Sequence, residues 1–296
     1  MKKKYIFRAF IVFLLILLGA AIFTVEKILP YSSIKPMKRQ SNATPSDYGL
    51  KYEPFTVRND TVAIQGYYIS NDTAKATIVC LHGITNCKEK FIPFAKKLHD
   101  IGCNVVLVDL RAHGKSGGKY CTFGFYEKYD IQKVIDYALS KSAVTNIGIH
   151  GHSLGGAVAI QTLELDKRLK FGIIESTYTT YENVMLAYSK NYVGFQNRAL
   201  THRVAVKSGE IANFDIEKLK SIESCKNINV PVFMEHGTAD ERIPFSMGQE
   251  NFATLASTDK TFYTIENGGH SNVHGNGGEK YWEAVKKFVQ RMEMRK

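Results

Sequence analysis

Short apolar runs alternate with amphipathic stretches along most of the chain. Residues 55–58 and 62–70 flank Asn59-Asp60 and read as a strand hairpin. Residues 76–81, 104–110, 146–150, 171–174, 230–235 and 261–265 read as further strands, each short and largely apolar. Between them, residues 88–99, 125–140, 154–165 and 282–292 carry helical spacing. In the second of these, Ile131, Val134, Ile135 and Leu139 fall on one face. Continuous apolar strands separated by helices predict an α/β architecture, a mostly parallel sheet with helices on both faces. In such sheets the chemistry gathers at the carboxyl ends of the strands.

The first 29 residues break this pattern. Residues 9–25 run without a charge, and Lys2, Lys3, Lys4 and Arg8 precede them. The length suits a membrane-crossing helix once Arg8 snorkels. The apolar run continues past Gly19, Ala20 and Ala21 with no clear cleavage site, which favours an uncleaved signal anchor over a cleaved signal peptide. Charge ahead of the run places the N-terminus in the cytoplasm and the rest outside it, or secreted if the segment is cut. Residues 30–50 hold Pro30, Pro36 and Pro45 and show no period. They read as a linker that holds the domain, residues 51–296, off the bilayer.

Composition adds little beyond this. Hydrophobic residues are 44% and charged residues 23% of the 296, ordinary for a globular domain. The net charge of +11 is concentrated before residue 50, and no basic stripe interleaved with aromatics follows, so nucleic acid is not an expected partner. Five cysteines at unpatterned spacing suggest neither a zinc site nor a disulfide framework.

Four motifs carry chemistry, each after a predicted strand. Gly151-His152-Ser153-Leu154-Gly155 lies between a strand and a helix, the context of a nucleophile elbow, with Ser153 as nucleophile. Asp240 sits in the loop after residues 230–235 and is the expected orienting acid. Gly268-Gly269-His270 follows the last strand, and its glycines let His270 return to the elbow as general base. Leu81-His82-Gly83-Ile84 places a turn beside the elbow. The backbone N–H groups of Ile84 and Leu154 are the candidate oxyanion donors. His274 is the rival base and Glu175 the rival acid. Asp109 and Arg111 read as loop-holding ion pairs, and the loop 270–274 offers too few ligands for a metal.

On these motifs, and on Asp109-Leu-Arg-Ala-His-Gly-Lys-Ser116, the chain resembles α/β hydrolases of the serine-aminopeptidase-like and monoglyceride-lipase-like group. Ala112 stands where that group usually has glycine. The order Ser153, Asp240, His270 is that of this fold. The resemblance implies an eight-stranded sheet with one antiparallel strand near the start, no cofactor, and loop-supporting roles for His82 and His113. It puts a small helical cap near residues 178–226, which suggests a rather open site. There Tyr178, Tyr181, Tyr188, Tyr192 and Phe195 either line an acyl pocket or pack the lid. The expected activity is hydrolysis of a small-molecule acyl ester, with thioesters and amides open. The alternatives are an aminopeptidase-type amide hydrolase and an inactive, membrane-anchored binding protein.

Overall fold

The computed structural model describes residues 2–271 and 273–294. Its strands are β1 (Glu53–Asn59), β2 (Val62–Ile69), β3 (Ala76–Leu81), β4 (Cys103–Val108), β5 (Ile147–His152), β6 (Leu169–Glu175), β7 (Val232–Gly237) and β8 (Lys260–Ile265). They form one sheet in the order β1-β2-β4-β3-β5-β6-β7-β8. β2 runs antiparallel to both β1 and β4, and all other pairs are parallel. β3, β4 and β7 are buried along their whole length, as expected of parallel strands covered on both faces.

The helices are α1 (Lys2–Phe23), α2 (Leu29–Ile34), α3 (Ile92–Asp100), α4 (Glu127–Lys141), α5 (Leu154–Leu165), α6 (Tyr181–Val193), α7 (Arg198–Ala212), α8 (Ser221–Cys225), α9 (Phe245–Thr254) and α10 (Val273–Glu293). One face of the sheet packs on α3 and α10 through Phe91, Phe94, Leu98, Trp282, Val285 and Phe288. The other packs on α4 and α5 through Ile131, Val134, Ile135, Leu154 and Val158. α5 is buried through most of its length and keeps the bounds its apolar run predicts. The predicted helix at 88–99 divides into a 3₁₀ turn, Lys88–Phe91, and α3. Pro93, which has no N–H to give, sits in the first turn of α3. α6, α7 and α8 fill the expected cap. The side chains of Thr180 and Asn197 cap the first two by accepting from the N–H groups of Asn183 and Leu200.

α1 is exposed from Lys3 to Phe23, and the helical stretch Lys3–Ile34 is long and apolar enough to cross a membrane, with a mean hydropathy of 2.7. The segment after α1 departs from the sequence reading. Residues 30–50 do not hang free of the domain. α1 passes through a π-helical turn, Thr24–Ile28, where the N–H of Leu29 reaches back to the carbonyl of Thr24. Pro30 then stands in the first turn of α2. Ile34 is fully buried in the core, and its carbonyl accepts from the N–H of Cys121 at 2.9 Å. Ser33 Oγ lies 2.9 Å from both Tyr181 Oη and Ser208 Oγ. Lys38 Nζ donates to the Ser116 carbonyl at 2.7 Å, and Leu50 is buried. The physical reason is that α2 spends its few apolar side chains on the cap, a pairing that no local period reveals.

Truncation tests this docking. A chain starting at Thr24 keeps α2, whereas one starting at Ser41 loses it. Ile34 alone contributes about 1.5–3 kcal/mol by burial, so the Ser41 chain melts roughly 3–10 °C below the Thr24 chain. Equal melting temperatures by circular dichroism would show that the segment is not part of the folded unit.

Candidate active site

Ser153 stands between the end of β5 and the first residue of α5, at φ 57° and ψ −117°. A non-glycine residue rarely holds positive φ, so its neighbours must impose this turn. They do so by close backbone approach. A Cβ on Gly151 would lie 2.2 Å from the Gly155 carbonyl oxygen, and one on Gly155 2.2 Å from that of Leu81. The Ser153 N–H donates to the Glu175 carbonyl at 2.9 Å, and Thr177 Oγ1 donates to the Ser153 carbonyl at 2.9 Å.

The three residues expected to react come together from three strand ends. His270 Nε2 lies 3.0 Å from Ser153 Oγ, and His270 Nδ1 lies 2.8 Å from Asp240 Oδ2. Asp240 Oδ1 accepts from the N–H groups of Arg242 and Ile243 at 2.9 and 2.8 Å. Burial pushes the Asp240 carboxyl up. Hydrogen bonds from His236 and His270, the charge of His270 and the Ile243 N–H outweigh it and hold the group well below the usual carboxylate range. The rival acid is engaged elsewhere: Glu175 accepts from Tyr281 Oη and lies 3.1 Å from His150 Nε2. The side chain of the rival base His274, like Asn272, lies outside the described residues.

The turn at 82–84 packs against the nucleophile, since a Cβ on Gly83 would sit 3.2 Å from Ser153 Cβ. Among the described residues, the N–H groups of Ile84 and Leu154 make no backbone hydrogen bond. His82 Nδ1 donates to the Gly83 carbonyl at 2.8 Å while its Nε2 accepts from the Leu110 N–H at 3.1 Å. Burial lowers the pKa of His82, which suits this neutral, bridging state. His113 donates to the Arg111 carbonyl at 2.9 Å, and burial, with His82 beside it, lowers its pKa to about 4. Asp109 accepts from Lys88 Nζ, Lys88 N–H and Lys115 N–H at 2.8–2.9 Å, and Arg111 pairs with Asp130 at 2.6 Å. Both ion pairs tie loops at the strand ends, as the motifs lead one to expect.

Three contributors were not legible in the sequence. His236 Nε2 lies 3.3 Å from Asp240 Oδ2 and 2.9 Å from the Ile243 carbonyl, so a second imidazole steadies the acid. Its spacing of four from Asp240 is the one local signal. His152 Nε2 lies 3.0 Å from the His270 carbonyl and links the elbow to the histidine loop. Asn191 near the end of α6 donates to the Glu241 carbonyl, beside the acid. The site is also less open than a small cap suggests. Ser153 is 2% and His270 3% exposed. A cavity of about 270 Å³ is lined by His152, Glu175, Ser271, Phe91 and Phe94. Of the cap aromatics, Tyr178 and Tyr181 are core packing, whereas Tyr188 and Phe195 line a separate groove, and the Tyr192 side chain is outside the described residues. All five cysteines are free and buried.

Comparisons with known proteins agree with this architecture. Residues 76–200 match the family described as alpha/beta hydrolase fold. The uncharacterized protein YqkD of Bacillus subtilis is 27% identical over 273 residues, covering 88% of this chain and 83% of that one. The lysophosphatidylserine lipase ABHD12 of Macaca fascicularis is 26% identical over 200 residues, 62% of this chain and 46% of the lipase. The solved esterase Pf2001 of Pyrococcus furiosus superposes with a TM-score of 0.74 at 24% identity, covering 87% of this chain and 97% of its own. That likeness is one of fold. The chain has the α/β-hydrolase fold, with the eight strands and the antiparallel β2 that the resemblance implies. Its relatives include an enzyme named as a lipase.

Two substitutions test the geometry. Gly155→Ala drives a methyl into the Leu81 carbonyl, so it destabilises the fold by about 1–3 kcal/mol and distorts the elbow. A urea melt with the wild-type midpoint would show that the elbow relaxes freely.

Glu235 is fully buried, and neither carboxyl oxygen has a hydrogen-bond partner among the described residues. Burial pushes it well above its ordinary 4.5, and the charges of Glu175 and Asp240 push further. The folded protein therefore keeps a proton that the unfolded chain releases as pH rises past 4.5. Stability drains away with rising pH until Glu235 ionises in the fold. Glu235→Gln removes that loss, so its melting temperature gains on wild type between pH 4 and pH 8. A gap that stays constant over this range would mean that Glu235 is already ionised when folded.

Proposed function

We propose that this protein is a membrane-anchored serine hydrolase that cleaves carboxylic esters through an acyl-enzyme. The observation that carries the reading is the continuous chain Asp240 Oδ2, His270 Nδ1, His270 Nε2, Ser153 Oγ, with links of 2.8 and 3.0 Å. Ser153 Oγ attacks the acyl carbon while its proton passes to His270 Nε2. The Asp240 carboxylate, ionised well below neutral pH, holds the Nδ1–H tautomer and stabilises the imidazolium. The N–H groups of Ile84 and Leu154 receive the oxyanion, helped by the amino end of α5. His270 returns the proton to the departing alcohol, and water repeats the cycle to release the acid. Strain at Ser153 keeps the hydroxyl in place before substrate arrives, so little reorganisation remains for the reaction.

The lipase among the relatives supports ester over amide as the substrate bond. Lys2, Lys3, Lys4 and Arg8 ahead of the apolar helix keep the N-terminus in the cytoplasm and put the hydrolase domain on the far side. Lys35, Lys38 and Arg39 come after the helix and weaken this bias.

A fluorophosphonate probe labels wild type at Ser153 and leaves Ser153→Ala bare. The same variant folds and loses at least about 10³-fold in turnover of a short acyl ester. An unlabelled wild type would leave only a binding role for the scaffold. Asp240→Asn lowers kcat about 10⁴-fold, whereas Glu175→Gln lowers it far less. The reverse ranking would move the acid to Glu175. Protease added outside the membrane digests the domain in intact preparations, and a domain protected until lysis would invert the topology.

A further inference from the structure

Two stretches far apart in the sequence carry no acidic residue. Residues 27–46 hold Lys27, Lys35, Lys38 and Arg39, and residues 110–126, between β4 and α4, hold Arg111, Lys115 and Lys119. The fold lays them side by side. The Cys121 N–H donates to the Ile34 carbonyl at 2.9 Å, Lys38 Nζ to the Ser116 carbonyl at 2.7 Å, and Gln40 Nε2 to the Gly114 carbonyl at 3.4 Å. The rings of Tyr31 and Tyr120 lie 6.3 Å apart. Lys35 Nζ sits 5.3 and 5.9 Å from their centroids, and Lys119 Nζ 5.1 Å from that of Tyr120. Arg111 is engaged by Asp130, and Glu26, just before the first stretch, by Arg203. Lys35, Lys38, Arg39, Lys115 and Lys119 are exposed, and no ion pair joins them to a carboxylate among the described residues. Like charges gathered around two tyrosines repel one another, and a layer of anions relieves that repulsion.

This patch follows directly on α1, whose apolar run ends at Val25. At a rise of about 1.5 Å per residue, Tyr31 and Lys35 lie no more than about 9 and 15 Å above the hydrocarbon edge. Headgroups fill the first ~5–8 Å of that height. Their charge is felt over about 8 Å more at physiological salt. Tyrosine, apolar in body and polar at its tip, favours this interface. We infer that the patch docks on anionic phospholipid headgroups of the membrane that holds α1, so that the domain leans on the bilayer instead of standing off it. This placement rests on the proposed membrane anchor. The lipid phosphodiesters supply the counter-charge that the two stretches lack, and the lysines reach them on long stems.

The test places the full chain in nanodiscs of phosphatidylcholine, or of its equimolar mixture with phosphatidylglycerol. The native cysteines are all buried, so a thiol-reactive fluorophore goes to an introduced cysteine. Met37→Cys, exposed between Lys35 and Lys38, marks the patch. Asp72→Cys, in the turn between β2 and β3, marks the opposite edge of the sheet. In mixed discs, lipid with a nitroxide on its headgroup quenches the Met37 probe at least threefold more than the Asp72 probe. Lys35→Gln with Lys119→Gln at least halves the Met37 quenching, as does high salt, and phosphatidylcholine discs give the lower value from the start. Equal quenching at the two positions, or quenching at Met37 that neither the glutamines nor salt lowers, overturns the docking. So does stronger shielding of the Met37 probe from iodide by added polyglutamate than by phosphatidylglycerol, which marks an acidic protein as the partner. A third probe on Leu15→Cys, inside α1, reports on the anchor through lipid with a nitroxide on its acyl chain. Quenching at Met37 without quenching at Leu15 keeps the docking face and removes the anchor. The reverse keeps the anchor and removes the face.

Discussion

The left-handed backbone of Ser153 is the constraint on which the rest of the site depends. A serine at φ 57° is not a local preference, so surrounding structure must hold it there. β5 delivers the chain into the turn, α5 carries it away, and the β6 end accepts the Ser153 N–H. Gly151 and Gly155 are needed because carbonyl oxygens of the elbow and of β3 occupy the space a methyl would take. A parallel sheet suits this task. Its strands all end on one edge, so residues far apart in sequence reach one point without long loops.

Around that point, charge is buried only where it is matched. Lys88, 2% exposed, sits between Asp109 and Glu89 at 2.8 Å from each, and Asp109 also takes two backbone N–H groups. Arg111 and Asp130 do the same for the next loop. Breaking one partner of such a pair leaves an uncompensated charge, which is why these pairs specify loop positions more than they add net stability. Glu235 is the exception. Its carboxyl has no hydrogen-bond partner among the described residues, and burial, with the charges of Glu175 and Asp240, pushes its pKa up and favours the neutral acid, while Asp240 is held low beside His270.

The N-terminal segment makes the domain and its apolar helix one mechanical unit. A flexible tether would leave the orientation of the site relative to the helix free. Here α2 is bonded to α7 and to the start of α6, and Ile34 fills the core. The cap is thus fastened on one side to the sheet and on the other to the helix that precedes it.

The sequence by itself determined the strands and marked the residues that the fold brings together. Period-two and continuous apolar runs placed all eight strands within a few residues, because core strands are short and their neighbours in space impose one demand, apolarity. Ser153, Asp240 and His270 were legible because each sits in a glycine-marked turn after a strand. Tertiary structure alone decided what depends on partners distant in sequence. α2 looked like part of a linker, since its six residues have meaning only against Tyr181 and Ser208, about 150 residues or more away. The pairing of Lys88 with Asp109, 21 residues on, is likewise set by the fold. His236, His152 and Asn191 joined the site through contacts to a carboxylate and two carbonyls, which leave no periodic trace in sequence. The closure of the site was likewise hidden, because a cap's length says how many residues cover a cleft but not where they lie.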